Sequence, residues 1–341
     1  MPLFGVQATT FAQGWSRPAA LRAVESAAHL GFDALEIPLF TTYDIDAAAL
    51  RAAAQKAHIT LLGRTALPRG CSVVRHAERA RAFLGQVLRT AEALGVASLS
   101  GAFLYAPGDM ETSVGPGDGA LLVDVLADLA DEAEARSIVL ALEPAHRFES
   151  RIVNTVAQTQ TLVNAVRSAS LRLGLSTLQL HIGEPSLAAA VHRAGALLHS
   201  VRAVENTGGP IGSGAVQWDV LWRALLEMKF DGLLILEAPR SFPDTTLGVS
   251  TTQMSRMAAE MDLYPEEFAA QGLAYMQEGI TGRPPPSAPP RRRAAKQAAA
   301  ENKNDIDVDA APASPPPPAQ GKGPKSPARA PKLGGKSYRS G

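Results

Sequence analysis

The sequence lacks the features that identify several classes of protein. It has one cysteine, Cys71, in 341 residues, so no disulfide can form within the chain and a reducing compartment is expected. No apolar run reaches the roughly 18 residues of a membrane span. The opening MPLFGVQATTF lacks the basic segment and long apolar run of a secretory signal. We therefore predict a cytoplasmic protein with no membrane segment.

A net charge is also absent, but only because two unlike parts cancel. Of 33 basic and 33 acidic residues, 12 Lys/Arg and 4 Asp/Glu lie from Gly282 onward, a net charge of +8. Residues 1–281 keep 21 basic against 29 acidic residues, a net charge of −8. The last 60 residues also hold 13 of the 25 prolines, and such a segment buries too little surface to offset its ordering entropy. We predict one folded domain over 1–281 and a disordered Pro/Ala/Lys/Arg-rich tail over 282–341.

Within residues 1–281, eight short apolar runs alternate with segments of helical character. Nearly every position of the runs is apolar, as in parallel strands that are covered on both faces. The helical segment 77–95 places apolar residues at the spacing of one buried face and ends at Gly95. The predicted strands are LFGVQA (3–8), ALEIPL (34–39), ITLLG (59–63), SLSGAFL (98–104), IVLALEP (138–144), LRLGLS (171–176), LHSVRAV (198–204) and LLILEAP (233–239).

Eight repeats of strand and helix in about 250 residues predict an α/β fold, the (β/α)8 or TIM barrel. The helical segment 264–280 would close the barrel. An open doubly wound sheet is the alternative. No GxGxxG turn follows the first strand, so dinucleotide binding has no support.

Three glutamates lie within predicted strands, near the strand ends where barrels of this kind place their chemistry. They are Glu36, Glu143 and Glu237, from the second, fifth and eighth strands. A carboxylate in an apolar strand is costly unless it is paired or functional. Such glutamates can form salt bridges that hold strand ends to loops. Two of them, Glu143 and Glu237, come late in separate strands and are expected to face the same mouth of the barrel, which favours a functional site.

The segments that carry these glutamates resemble the ketose 3-epimerases, the D-tagatose/D-psicose 3-epimerase group of the xylose isomerase-like TIM barrel superfamily. The resemblance extends over about residues 3–280. It implies a Mn²⁺ or Co²⁺ site of Glu, Asp, His and Glu, whose two glutamates exchange a proton at C3 of a ketose through an enediolate. The matching segments are GFDALEIPL (31–39), LGVASLSGAF (94–103), LALEPAHRFESRIVNT (140–155), ENTGGPIGSGAVQWDVL (205–221) and ILEAP (235–239).

Carried over residue by residue, the resemblance is partial. It implies that Glu143 and Glu237 are the proton-transferring metal ligands and that Glu149 contacts the substrate. Glu36, Gln179 and Glu205 are further candidates for substrate binding. Four positions depart from the family pattern. The metal-binding aspartate falls on Ser176, the metal-binding histidine on Arg202, a substrate-binding histidine on Gln179, and a substrate-binding arginine on Gly208.

Two carboxylates alone make a poor Mn²⁺ site, and the nearby histidines are poor replacements. His181 is expected on a loop above the sixth strand, and alternation along the seventh strand turns His199 away from the barrel interior. Arg202 supplies a cation of another kind, because an arginine is always charged and can bind a carboxylate bidentately. We hypothesise that its guanidinium takes the place of the metal. No metal cofactor is then expected, and Mn²⁺ or Co²⁺ would bind only if the altered site still accepts it.

Three functions stay open on the sequence alone. The first is a pseudoenzyme that binds a carbohydrate or a partner without metal. The second is an active ketose 3-epimerase or isomerase that uses altered ligands, or Arg202 as an electrophile. The third is a barrel that its basic tail recruits to a polyanion. The family also forms homo-oligomers, but no segment of the sequence marks an interface.

Overall fold

The computed structural model describes residues 1–12, 16–40, 46–237 and 265–282. Its strands are β1 (Leu3–Gln7), β2 (Ala34–Pro38), β3 (Thr60–Ala66), β4 (Ser98–Ala102), β5 (Asp109–Ser113), β6 (Val139–Leu142), β7 (Ser150–Arg151), β8 (Leu171–Ser176), β9 (Leu198–Ala203) and β10 (Leu233–Leu236). Eight of them form a closed parallel barrel in the order β1-β10-β9-β8-β6-β4-β3-β2, and β5 pairs with β7 outside it. The predicted (β/α)8 barrel is confirmed, and all eight predicted strands are present.

The helices lie between the strands along the chain, as the predicted repeat requires. They are α1 (Arg17–Leu30), α2 (Ala47–Lys56), α3 (Val73–Leu94), α4 (Asp118–Glu134), α5 (Val156–Val166), α6 (Thr177–Gly183), α7 (Leu187–Ala194), α8 (Trp218–Glu227) and α9 (Pro265–Ile280). The loop expected after the sixth predicted strand is instead the short helix α6. Its residue Leu180 is buried, and burial of this apolar side chain favours a helical turn over an open loop.

Local sequence signals set the ends of α1. The Ser16 side chain accepts a hydrogen bond from the Ala19 N–H at the first turn, which satisfies one of the backbone donors left free there. The helix ends at Gly31, whose φ of 87° is left-handed and is accessible to glycine without strain. Between these ends the alanine-rich face is buried, so this helix contributes mainly small apolar side chains to the core.

The barrel interior is built in layers. Near the start of the strands, a small apolar cluster consists of Ala34, Leu62, Leu233 and Ile235. One residue of β4, Gly101, lies so close to β3 that a Cβ atom there would stand 1.8 Å from the Thr65 carbonyl oxygen. No other residue type fits at that approach, and its φ of 141° is also one that glycine tolerates. The polar side chains of the candidate site lie above the apolar cluster, toward the ends of the strands.

The expected orientation of His199 is wrong. Its Nε2 lies 2.9 Å from the Ser98 Oγ, and β9 and β4 are not neighbours in the ring, so this contact crosses the barrel interior. The reason is a register shift: Leu173 pairs with Leu198, but the next residue pairs with Ser200, and the extra residue breaks the alternation of side chains. Burial, together with the nearby charge of Arg172, lowers the pKa of His199 to about 4, so the imidazole is neutral at physiological pH.

No helix in the described ranges is long and apolar enough to cross a membrane. Apart from Gly282, the predicted tail lies outside the residues that the structure describes, so its disorder and its contact with a polyanion stay predictions.

Candidate functional site

A layer of polar and charged side chains fills the barrel interior toward the carboxyl ends of the strands. The registers of the parallel strands bring them together: Gln7 pairs with Glu36 across β1 and β2, Arg64 with Ser100 across β3 and β4, and Ser176 with Arg202 across β8 and β9. The members that contact one another are Glu36, Arg64, Ser100, Glu143, Arg202 and Glu237. We call this set the charged layer.

Arg202 is the centre of the charged layer. Its Nη1 and Nη2 donate to the two carboxylate oxygens of Glu36 at 2.6 and 2.8 Å, a bidentate pair. Nη2 also donates to the Glu143 Oε1 at 3.0 Å and to the Ser100 Oγ at 2.9 Å. Nε stands 3.2 Å from the Glu237 Oε2 but donates no hydrogen bond, so this contact is an ion pair with poor alignment. One guanidinium therefore contacts all three carboxylates.

The charges of the layer stabilise one another unequally. Burial opposes the charge on Arg202, but the three glutamates outweigh it and raise its pKa well above the usual arginine value. Burial likewise opposes ionisation of Glu143, yet Arg202 and Arg64 outweigh it and lower the pKa of that carboxyl. At Glu237 burial prevails, and the pKa is raised. Glu143 is therefore held as a carboxylate, whereas Glu237 is the carboxyl of this pair that accepts a proton more readily.

Arg64 was missed by the sequence reasoning. Its Nη1 donates to both Glu143 oxygens, at 3.2 and 3.5 Å, so this glutamate binds two guanidinium groups. The third predicted strand stopped at Gly63, but β3 extends through Arg64 to Ala66. The available signal was the continuation RTA after the apolar run, since an arginine in a strand that is covered on both faces needs a partner. Ser100 was also missed, because it lies inside the apolar run SLSGAFL (98–104).

A second polar group lies beside the end of β6. The Gln179 Nε2 donates to the Glu149 Oε2 at 2.6 Å, and the Gln179 side-chain oxygen accepts from the His146 N–H. His146 Nδ1 is buried without a partner among the described residues. Gln179 thus connects α6 to the loop after β6 and orients the Glu149 carboxylate. The substrate contacts predicted for Glu149 and Gln179 stay predictions.

Glu205 lies in a structural network. It is buried, and its two oxygens accept hydrogen bonds from the Gly212 and Val216 backbone N–H groups and from the Trp218 Nε1. These bonds fix the loop that leads into α8. Gly208 lies in this loop with a left-handed φ of 72°, a conformation that would strain an arginine there. The contact predicted between Glu205 and a substrate stays untested.

The residues at the positions where the resemblance implies a metal site do not fit a divalent cation. Ser176 offers a hydroxyl where the resemblance implies a carboxylate, and Arg202 brings a positive charge between Glu143 and Glu237. Of the histidines considered as replacements, His181 is exposed on α6 and His199 contacts Ser98 deep in the barrel. Across the described residues, no three His, Cys, Asp or Glu side chains are grouped to hold a metal. The chemistry of this donor set favours ion pairing over metal coordination.

The raised pKa of Glu237 predicts how the stability of the protein changes with pH. Burial makes this carboxyl harder to ionise in the folded chain, so its contribution to stability falls as the pH rises through its folded pKa. We expect Glu237→Gln to raise the melting temperature at a pH of about 8 and to have little effect at about 4. The control Glu134→Gln changes an exposed glutamate on α4 and should leave both melting temperatures unchanged. A larger loss of stability for Glu237→Gln at high pH than at low pH would contradict the assignment.

Known proteins share this fold and sequence pattern. The L-ribulose 3-epimerase of Methylomonas sp. strain DH-1 is 27% identical over 239 residues, 69% of this chain and 84% of that protein. The D-psicose 3-epimerase of Ruminiclostridium cellulolyticum is 29% identical over 227 residues, 63% and 76% of the two chains. A crystal structure of D-psicose 3-epimerase with D-tagatose from Clostridium cellulolyticum H10 aligns with a TM-score of 0.72 at 24% identity, over 82% and 99% of the two chains.

A family model extends the similarity over most of the sequence. Residues 24–264 match the family described as xylose isomerase-like TIM barrel. The closed parallel barrel agrees with that description, and the ketose 3-epimerases are relatives within the same fold. This chain therefore belongs to the xylose isomerase-like TIM barrel family.

Proposed function

We propose that this protein is a metal-independent member of its family that binds a small carbohydrate-like ligand at the barrel mouth and has lost metal-dependent ketose epimerisation. One observation carries the proposal: the Arg202 guanidinium contacts Glu36, Glu143 and Glu237 at once. It therefore lies between the two glutamates that, by resemblance, would flank the substrate carbon.

The state of Glu143 argues against the family reaction. A general base needs a free lone pair and a pKa near the working pH. Glu143 instead binds both Arg64 and Arg202, and its pKa is lowered, so it is a weak base whose oxygens are already bonded. Arg202 itself is 1% exposed and cannot reach two oxygens of a sugar as a metal ion does.

Ligand binding is supported by the polar side chains at the barrel mouth. Glu149 and Gln179 form a hydrogen-bonded polar pair at the end of β6, and Arg64 and Glu237 are partly exposed within the charged layer. Related proteins are epimerases of L-ribulose and D-psicose, and one is crystallised with D-tagatose. Polar side chains of this kind suit a ligand with several hydroxyl groups.

A second candidate is a metal-free isomerase that uses one proton-transferring carboxyl. It is favoured by one observation: Glu237 is partly exposed and has a raised pKa, which suits a group that gives and takes a proton. An arginine would then stabilise the developing enediolate charge.

Recruitment to a polyanion by the tail remains a third proposal, on residues outside the described part of the chain.

Activity assays distinguish these candidates. Purified protein is incubated with D-fructose, D-tagatose and D-allulose, each with added Mn²⁺ or with EDTA, beside a D-psicose 3-epimerase as positive control. We expect no Mn²⁺-dependent turnover above background and no stoichiometric Mn²⁺, Co²⁺ or Zn²⁺ by elemental analysis. Robust turnover that EDTA abolishes would refute the proposal, whereas turnover that EDTA leaves unchanged would establish the metal-free isomerase.

A further inference from the structure

One aromatic ring is exposed at the barrel mouth. Phe148 lies on the loop after β6 and is 79% exposed, whereas every other Phe, Tyr or Trp in the described ranges is buried or half-buried. Apolar surface stabilises a fold in proportion to the area removed from water. The ring of Phe148 therefore adds little to the core of the protein and is free to contact a ligand.

The loop that carries this ring is held by hydrogen bonds at both ends. The Asn154 side-chain amide donates to the backbone carbonyl groups of Ala145 and Ser150, at 2.9 and 2.7 Å. Between them, the Glu149 N–H donates to the His146 carbonyl oxygen at 3.0 Å, which closes a tight turn. An aromatic ring on a loop fixed in this way is preorganised, because ligand binding does not have to order the backbone.

Polar side chains lie beside the exposed ring. The His146 ring centroid is 6.0 Å from that of Phe148, and the His146 Nε2 stands 3.8 Å from the Glu149 Oε2, too far for a direct hydrogen bond. A ligand hydroxyl between these two atoms can accept from an imidazole N–H and donate to the carboxylate. Among the described residues Gln179 donates to Glu149, on Oε2, so Oε1 can accept from a second hydroxyl. We call these four residues the rim group.

The charged layer keeps a ligand at the level of the rim group. The side chains of Glu36, Arg202 and Glu143 are 1%, 2% and 7% exposed, so a ligand that enters the mouth stops above them. It then contacts the segments that follow the strands. Glu149 lies on the loop after β6, and Gln179 lies on α6, which follows the neighbouring strand β8. Both residues therefore lie where the ligand stops.

We infer that the rim group binds one closed sugar ring, with a C–H face stacked on Phe148 and hydroxyl groups bonded to His146 and Glu149. The ligand class is a pyranoside, the cyclic sugar of a glycoside, and not an open-chain ketose. The inference rests on the proposed function, because it names the ligand class of the same site.

The shape of a pyranose ring carries this choice of ligand. Such a ring presents C–H groups on a face and hydroxyl groups around its edge, which matches an aromatic ring that lies beside polar side chains. An open-chain sugar has the same hydroxyl groups but no flat apolar face, so it can satisfy Glu149 and His146 without contacting Phe148. Binding of the two forms should therefore differ by the contribution of the phenyl ring.

Calorimetric titration tests the inference with the methyl β-pyranosides of D-glucose, D-galactose and D-mannose beside the open-chain polyol D-glucitol. We expect at least one pyranoside to bind about tenfold more tightly than D-glucitol. Phe148→Ala should remove this preference and leave D-glucitol binding unchanged. Phe148→Trp should keep the preference, because an indole offers a larger face. Glu149→Gln should weaken pyranoside binding severalfold, because the hydroxyl loses a charged acceptor.

Two controls accompany the titration. Leu226→Ala truncates a 40% exposed leucine near the end of α8 and should leave every affinity unchanged. Light scattering should give the same oligomeric state for Phe148→Ala as for the unmodified protein. A change in that state would show that a second copy of the chain covers the ring, and would overturn the inference.

The remaining outcomes separate the inference from the proposed function. The inference is overturned if no pyranoside binds more tightly than D-glucitol, or if Phe148→Ala keeps the preference. Equal binding of the pyranosides and D-glucitol would leave the proposed function standing. Failure of every carbohydrate to bind would remove both the inference and the ligand binding in the proposed function. Mn²⁺-dependent turnover of a ketose would remove the proposed function itself.

Discussion

Arg202→Met should lower the free energy of unfolding by about 3–5 kcal/mol, the usual cost of removing one partner from a buried ion pair. The variant leaves Glu36 and Glu143 buried at the barrel centre without the group that bonds both of them. Methionine fills much of the same space, so the loss would come from uncompensated charge and not from a cavity. Urea denaturation at neutral pH measures it, and the deficit should shrink at low pH, where carboxylates are protonated.

A surface arginine provides the matched control. Arg81 on α3 also contacts three acidic side chains, which are Glu78, Asp124 and Asp128, but these are largely exposed. Arg81→Met should cost at most about 1 kcal/mol. The double variant Arg202→Met/Glu36→Leu removes a buried charge of each sign and should be more stable than Arg202→Met alone. Equal losses for Arg81→Met and Arg202→Met would show that the charged layer is not a buried ion cluster.

Ser176→Asp together with Arg202→His should convert the barrel into a metal-binding protein. Ser176 and Arg202 are paired in register on β8 and β9, and Glu143 and Glu237 follow the flanking strands β6 and β10. The double variant therefore presents Glu, Asp, His and Glu from four consecutive strands of the ring. Carboxylates and an imidazole are donors that suit Mn²⁺, so we expect stoichiometric Mn²⁺ after dialysis and a melting temperature that rises with added Mn²⁺.

Two further variants separate folding from metal binding. Ser176→Ala with Arg202→His supplies the histidine without the new carboxylate and should bind Mn²⁺ much more weakly. Adding Glu36→Gln to the double variant removes the carboxylate that has lost its arginine, which protects the fold. If the triple variant folds and still binds no metal, the assignment of ligand positions is wrong.

The barrel could be predicted from sequence because parallel strands covered on both faces leave a direct pattern of continuous apolar runs. The same pattern hides interior polar residues. Arg64 follows an apolar run as though it ended the strand, but β3 continues past it. Its charge is tolerated because Glu143 lies next to it, a partner 79 residues away in sequence. Local hydrophobicity cannot reveal such a pairing.

The residues of the candidate site could be predicted from sequence better than the contacts between them. Glu36, Glu143, Arg202 and Glu237 were identified singly, by their place in strands and by resemblance, and the interpretation paired Arg202 with Glu143 and Glu237. Its bidentate bond to Glu36 was not foreseen, because it depends on which residues share a level across the ring. The orientation expected for His199 was wrong because a register shift in β9 interrupts the alternation of side chains between the two faces of the strand. No residue type in that strand marks the shift.

The guanidinium at the barrel centre also changes what the fold depends on. A metal ion that binds only the folded state stabilises it in proportion to the logarithm of the free metal concentration. Arg202 instead carries its positive charge on a covalent side chain, and an arginine remains charged across the physiological pH range. Under the proposed metal-independent function, the cation at the barrel centre is therefore part of the chain itself, and neither metal starvation nor a chelator can remove it.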